Sequence, residues 1–148
     1  MRIREMMHKP VASCRPDDTL TVAAQAMWEH DCGAIPVTGI DGRLVGIITD
    51  RDICMATYTK SRAPQTISVA DVMARLVTSC QADESVDVAE GMMRDKQIRR
   101  IPIVDDDNRL MGMLSQSDLA RNAALGPRRN TIEKDFIRTM AAISQPRL

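Results

Sequence analysis

The feature that most constrains this chain is a repeat at one fixed offset. Met7, Val11, Ser13, Cys14 and Asp17 recur as Met73, Val77, Ser79, Cys80 and Asp83, each pair 66 residues apart. The same offset takes Val22, Ala23 and Met27 to Val88, Ala89 and Met93. It also takes Ile35-Pro36 to Ile101-Pro102, Arg43-Leu44 to Arg109-Leu110, Gly46 to Gly112 and Asp52 to Asp118. No gap is needed, and intervening residues change conservatively, as from Leu20 to Val86 and from Thr49 to Ser115. The chain is therefore a tandem duplication of a unit of roughly 50 residues, which must be settled before any finer reading. A polar stretch around Thr59–Thr66 joins the copies, which we place at residues 1–60 and 67–124, with a further helix at 130–144.

Within a copy, Val11 to Cys14 is short and β-prone, which predicts a brief first strand. Thr19 then stands as an N-cap, and Leu20, Ala23 and Met27 follow at the spacing of one helix face. Ser85, Val86, Ala89 and Met93 repeat the pattern. Gly33 is expected to close the first helix in a left-handed conformation, with Arg99 at the matching place. Ala34–Thr38 and Leu44–Thr49 read as a hairpin turning at Gly42, repeated by Ile101–Val104 and Leu110–Ser115. Second helices follow from Asp50 and from Gln116. The class is α+β, a β-α-β-β-α order twice over, and each unit is so small that pairing the two sheets would supply the missing core. Ile3 to Met7 and Val69 to Met73 read as short lead-in helices. After Gly126-Pro127, Asn130 and Glu133 form a capping-box pattern. Ile132, Phe136, Met140 and Ile143 then make an apolar stripe that docks on the module itself or on a sister chain.

Composition narrows the function. Twenty Lys+Arg balance twenty Asp+Glu, which argues against a general nucleic-acid binder. Trp28, Tyr58 and Phe136 are the only aromatics, so stacking platforms for single strands are nearly lacking. The longest apolar run, Leu44 to Ile48, is far below the roughly 20 residues of a bilayer span. Met1 to Glu5 shows no export signal, so a cytoplasmic location with reduced cysteines is expected. Cys14, Cys32, Cys54 and Cys80 have no metal-ligand spacing, and His8 and His30 add none, so no metal is expected. Cys14 and Cys80 read as equivalent packing positions, and Asp105-Asp106-Asp107 reads as a solvated hairpin turn. No nucleophile, base and orienting group can be assembled, so an enzyme is not expected.

Chemistry concentrates where each copy turns from strand to second helix. Gly46-Ile47-Ile48-Thr49-Asp50-Arg51-Asp52 and Gly112-Met113-Leu114-Ser115-Gln116-Ser117-Asp118 both read Gly-apolar-apolar-Thr/Ser-x-x-Asp. Free amides and the positive helix end suit a phosphate there. The hydroxyl can donate to a phosphate oxygen, and the carboxylate can accept from two ribose hydroxyls. Gly46 and Gly112 leave room for a ligand or another strand. The same residues also spell a helix capping box, which needs no ligand.

The doubled Ile-Pro-Val/Ile strand, hairpin and Gly-x-x-Thr/Ser-x-x-Asp turn resemble the tandem cystathionine-β-synthase (CBS) domain pair, or Bateman module, from about Ile3 to Ala120. The resemblance implies two repeats packed sheet to sheet about a pseudo-twofold axis. Clefts between them would take adenosine-containing ligands such as AMP, ADP, ATP, NAD or S-adenosylmethionine. It also implies that Asp52 and Asp118 hold ribose and that Thr49 and Ser115 touch phosphate. Val11, Ser13, Val77 and Ser79 would surround the base, with Ile35, Pro36, Ile101 and Pro102 as the apolar wall. Arg99-Arg100 match a phosphate-binding position of the family, whereas the first copy has Gly33-Ala34, so unequal sites are expected. The expectation is a stand-alone regulatory module, forming a homodimer and signalling to a separate protein partner. Its rival is a scaffolding module of the same fold that binds no nucleotide.

Overall fold

The computed structural model describes residues 1–125 and 129–145, with the side chains of residues 125–132 outside that description. The expected Gly126-Pro127 break therefore lies outside the described residues, and so do the side chains of Asn130, the expected cap, and of Ile132, the end of the apolar stripe. The chain forms helix α1 (Leu20–Glu29), strands β1 (Ala34–Thr38) and β2 (Leu44–Thr49), and helix α2 (Asp50–Lys60). The second copy gives strand β3 (Cys80–Gln81), helix α3 (Val86–Lys96), strands β4 (Arg100–Val104) and β5 (Leu110–Ser115), and helix α4 (Gln116–Leu125). Helix α5 (Arg129–Ile143) follows, and single 3-10 turns at Ile3–Glu5 and Val69–Asp71 are the predicted lead-ins. The result is an α+β fold with two small sheets, β1-β2 and β3-β4-β5.

Two compact units emerge, and their boundaries interleave along the chain. The first comprises Ala12–Val77 with Asp107–Leu110. The second comprises Met1–Val11, Thr78–Asp106 and Met111–Leu148. Thus the lead-in that begins the chain packs with the second copy's strands, while the Val69–Asp71 turn packs with the first copy's. Matched backbone bonds hold them: Val69 N–H donates to Asp18 O (2.8 Å) and Ala70 N–H to Pro16 O (2.8 Å). In the second unit, Ile3 N–H donates to Glu84 O (3.0 Å) and Arg4 N–H to Ala82 O (2.9 Å).

Each core is built from the periodic positions. Leu20, Ala23, Met27, Ile35, Val37 and Ile48 are buried together with Ile67, Val69 and Met73. Val86, Ala89, Met93, Ile101, Ile103 and Leu114 are buried together with Ile3, Leu119 and Ile143. Burying such side chains supplies about 1.5–3 kcal/mol each, the main force holding either unit together. Helix α5 packs on α3 and α4 of its own unit, settling its docking in favour of the module's own body. Phe136 lies against that core, and Ile143 is part of it.

Several local expectations hold. Thr19 accepts a hydrogen bond from Val22 N–H. Gly42 takes positive φ (80°) in the first hairpin, and Asn108 takes it (62°) at the equivalent place. Three are corrected. Ser85 begins α3 without a side-chain cap bond. Gly33 does not take the left-handed conformation; Asp31 (φ 48°) does so, and Gln97 (φ 52°) is its equivalent. The first strand shrinks to a single parallel bridge from Cys14 to Val37. Its extension is cut by a turn in which Asp18 Oδ2 accepts from Arg15 N–H (2.7 Å) and Arg15 O accepts from Asp18 N–H (3.1 Å). Pro16, with no N–H to donate, reinforces the stop.

Candidate functional site

Both strand-to-helix turns fold as reciprocal capping boxes. In the first unit, Thr49 Oγ1 accepts from Asp52 N–H (3.1 Å) while Asp52 Oδ2 accepts from Thr49 N–H (2.9 Å). In the second, Ser115 Oγ accepts from Asp118 N–H (3.2 Å) and Asp118 Oδ2 accepts from Ser115 N–H (2.8 Å). Two otherwise orphaned helix-end donors are thereby satisfied in each copy.

Beyond the caps, the two turns differ. Ser115 also donates its hydroxyl to Asp118 Oδ2 (2.6 Å), and Arg121 pairs with Asp118 Oδ1. Asp118 is buried, and both of its oxygens are engaged. Thr49, by contrast, only accepts, and among the described residues Asp52 Oδ1 has no hydrogen-bond partner; both residues are half-buried. The first turn therefore presents an unused hydroxyl proton and an unused carboxylate oxygen, whereas the second must release Arg121 before its acid can accept anything else.

Charge separates them further. Arg99 and Arg100 stand beside the second turn, where Arg99 O accepts from Gln116 N–H (2.9 Å). At the first turn Gly33 O accepts from Asp50 N–H (3.0 Å), and Asp50 Oδ1 accepts from Arg51 N–H (2.7 Å). Asp50 also occupies the space beside Gly33, where a Cβ would meet its Oδ2 at 2.9 Å. The first turn thus bears Asp50, Arg51 and Asp52, and the second bears Asp118 with Arg99 and Arg100 beside it.

The other predicted residues divide between the units. Ile35 and Ile101 are fully buried in their cores. Pro36 and Pro102 are buried too, and alternation places them on the other face of each strand. Ser13 and Ser79 directly precede Cys14 and Cys80, whose backbones pair with β1 and β4. Val77 lies in the unit of Thr49 and Asp52, and Val11 in that of Ser115 and Asp118. Gly46 and Gly112 admit a neighbouring chain segment: Ile47 bridges Ala74, and Met113 bridges His8. The second unit also has an open depression of about 290 Å³ lined by Arg4, Lys9, Asp83, Val104, Asp105 and Met111 among others, and no sequence-predicted site residue lines it.

All four cysteines are free. Burial, aided by Asp18, pushes the Cys14 thiol up to about 11. Burial first, then Glu84, does the same for Cys80. Neither forms thiolate near neutrality, which agrees with packing positions. Iodoacetamide at pH 8 should alkylate exposed Cys54 at least tenfold faster than Cys14 or Cys80. Comparable rates, followed by mass spectrometry, would contradict this burial.

A CBS domain profile matches residues 3–58 and 69–124. The chain belongs to the CBS domain family, and it carries the domain as a tandem pair. It is similar to the CBS domain-containing protein YhcV of Bacillus subtilis, 40% identical over 120 residues, which is 81% of this chain and 84% of that one. It is likewise 34% identical over 119 residues to Hypoxic response protein 1 of Mycobacterium tuberculosis, covering 80% of this chain and 82% of that one. The CBS domain pair of protein MJ0100, solved in complex with 5'-methylthioadenosine and S-adenosyl-L-methionine, superposes with a TM-score of 0.75 at 27% identity, over 82% of this chain and 94% of that one. A crystal structure of Hypoxic Response Protein I holds two coordinated zinc ions. Among the described residues here, no histidines or cysteines form a group of three that could share an ion. No helix of the described residues is long and apolar enough to cross a membrane.

Proposed function

We propose that this CBS pair is a regulatory module that binds an adenosine-containing small molecule at its strand-to-helix turns, and that the two turns accept different ligands. The observation that carries this reading is the open Thr49 hydroxyl and Asp52 Oδ1, left over after the capping box is complete. A carboxylate oxygen at that place suits the neighbouring hydroxyls of a ribose. With Asp50 where the second turn has Gln116, and Gly33-Ala34 where it has Arg99-Arg100, the first turn favours an adenosine compound lacking phosphate, of the S-adenosylmethionine or methylthioadenosine kind that the MJ0100 pair holds. The second turn, with Arg99 and Arg100, favours a phosphate, because a guanidinium can grip two oxygens at once. AMP, ADP, ATP or NAD would bind there in exchange for the Arg121–Asp118 pair. Ligand binding would shift the population of two arrangements and so change what a partner protein meets.

Binding and signalling, not turnover, is the output assigned here. Helices α1 and α2 pack together and leave Trp28 (88% exposed), Met55 and Tyr58 uncovered. We assign this apolar surface to a second copy of the chain in a twofold homodimer. It also favours the second reading, a scaffolding module whose turns are caps only.

Calorimetry and thermal shift separate the two. Ligand at a hundred times its dissociation constant adds about 2.7 kcal/mol. At this size that raises Tm by roughly 5–10 °C. Asp52→Asn keeps an acceptor for Thr49 N–H but loses the anionic oxygen. It should weaken S-adenosylmethionine or methylthioadenosine about tenfold or more, the value of a hydrogen bond to a charged group. Asp118→Asn should do the same to the phosphate-bearing ligand. No response to any of these compounds would favour the scaffolding reading, and unchanged binding in both variants would reject the ribose assignment.

A further inference from the structure

The two strand-to-helix turns carry the same motif, but only the second is closed by its own side chains. Asp118 Oδ2 accepts from Ser115 N–H (2.8 Å) and from the Ser115 hydroxyl (2.6 Å), and Arg121 donates to Asp118 Oδ1. A carboxylate offers about four acceptor sites, so most of its capacity is taken before any ligand arrives. Ser115 has also spent its one hydroxyl proton. Among the described residues, Asp52 at the equivalent place accepts only from Thr49 N–H (2.9 Å). The fixed offset explains the contrast, because it sets Arg121 against Met55, whose thioether has nothing to donate.

Placement makes the closing contact easy to break. The Asp118 side chain is 6% exposed, whereas that of Arg121 is 66% exposed. The capping box fixes the acid at the start of α4, while the guanidinium can turn into water without disturbing a core. An ion pair with one partner so exposed is weak enough for a ligand to displace. Asp118 would not be left bare, since two ribose hydroxyls would donate to it in the guanidinium's place. The released guanidinium keeps five donors in a planar fork, which fit a phosphate better than they fit water.

We propose, on the reading of Asp118 as the ribose acid, that Arg121 is the specificity-determining residue of the second turn: it competes with ribose for Asp118 and gives way most readily to a ligand whose phosphate takes up the guanidinium it releases. A nucleoside must break the pair and leave Arg121 to solvent. A nucleotide replaces one anion by another. Arg99 and Arg100 draw phosphate to the neighbourhood in general, whereas Arg121 couples phosphate to sugar, because one contact opens as the other forms. The first turn, with Met55 in that place, sets no such condition.

The test is calorimetry with AMP and with adenosine on the full chain carrying Asp52→Asn, which weakens the first turn so that the second dominates. The same titrations are made after adding Arg121→Met, which installs the first copy's residue. Removing the competitor should tighten adenosine about three- to tenfold, between the worth of an exposed ion pair and that of a hydrogen bond to a charged group. AMP should gain nothing, because it loses a phosphate partner along with the competitor. The preference for AMP over adenosine should therefore fall at least threefold. In an Asp118→Asn background Arg121→Met should bring adenosine no gain, since the two residues act through one contact. If both compounds keep their affinities and their ratio when Arg121 is replaced, the proposal is overturned while the ribose reading stands. A gain for adenosine that persists without the Asp118 charge overturns it too. If neither compound binds any of these proteins, the ribose reading itself fails and the role of Arg121 falls with it.

Discussion

Ile3→Ala is expected to destabilise the chain by about 2–5 kcal/mol, the usual cost of emptying a buried isoleucine site. The damage should fall on the second repeat. Ile3 is fully buried, and its neighbours in the core are Val86, Ala89, Met93, Ile101 and Leu114. Its own backbone N–H donates to Glu84 O, and Val86 N–H donates to Met1 O (3.1 Å), so the lead-in also satisfies the entrance to α3. A cavity at Ile3 therefore opens beneath β4 and β5. Hydrogen exchange should show amides of Arg100–Val104 and Leu110–Ser115 losing protection in the variant, with those of Ala34–Thr38 and Leu44–Thr49 much less affected. Val69→Ala is the control, because Val69 occupies the same place in the first unit; it should reverse the pattern, at a smaller cost for its smaller side chain. Loosening of β1 and β2 by Ile3→Ala would show that each lead-in serves its own copy.

That exchange of lead-ins marks where the sequence stops being informative. The fixed offset displayed both copies, and local signals placed the helices, hairpins and capping boxes, because each depends on residues three to eight apart. Thr49 and Asp52 close their box within one turn, and Gly42 and Asn108 answer one local demand for positive φ. Which copy a lead-in joins depends on contacts between Ile3 and residues some eighty positions away, and no period records that. Gly33 does not cap for a local reason: the helix ends two residues earlier than a glycine cap would suggest, and Asp31 and Gln97 take the left-handed turn themselves. At the candidate site the motif was legible but its occupancy was not. Sequence gives Ser115 and Thr49 the same part, yet Arg121 closes on Asp118, and among the described residues nothing equivalent closes on Asp52. The first copy has Met55 where the second has Arg121, which accounts for the difference in one substitution.

Gly46→Ala and Gly112→Ala should both lower stability, although alanine is favoured over glycine by about 0.5–1 kcal/mol where there is room for it. Room is what these positions lack. A Cβ at Gly46 would lie 2.6 Å from Met73 Sδ and 3.0 Å from Ala74 O, and at Gly112 2.8 Å from Met7 Sδ and 3.1 Å from His8 O. The methionine sulfurs can move. The carbonyls cannot easily do so, because Ala74 O accepts from Ile47 N–H (3.0 Å) and His8 O from Met113 N–H (3.0 Å) in the bridges that bring each segment onto its strand. Overpacking of this kind costs about 1–3 kcal/mol. At roughly 2–4 °C per kcal/mol for a chain of this size, the Tm should fall by several degrees. Gly46→Ala should be the worse, having the closer approach to both atoms. Adding Met73→Ala to Gly46→Ala separates the two clashes: relief from the sulfur should make the double variant more stable than the sum of the singles, while the carbonyl contact keeps Gly46→Ala destabilising even there. A Tm that rises on Gly46→Ala would mean that the Ala74 segment yields freely and that this glycine is kept open for something other than a close backbone approach.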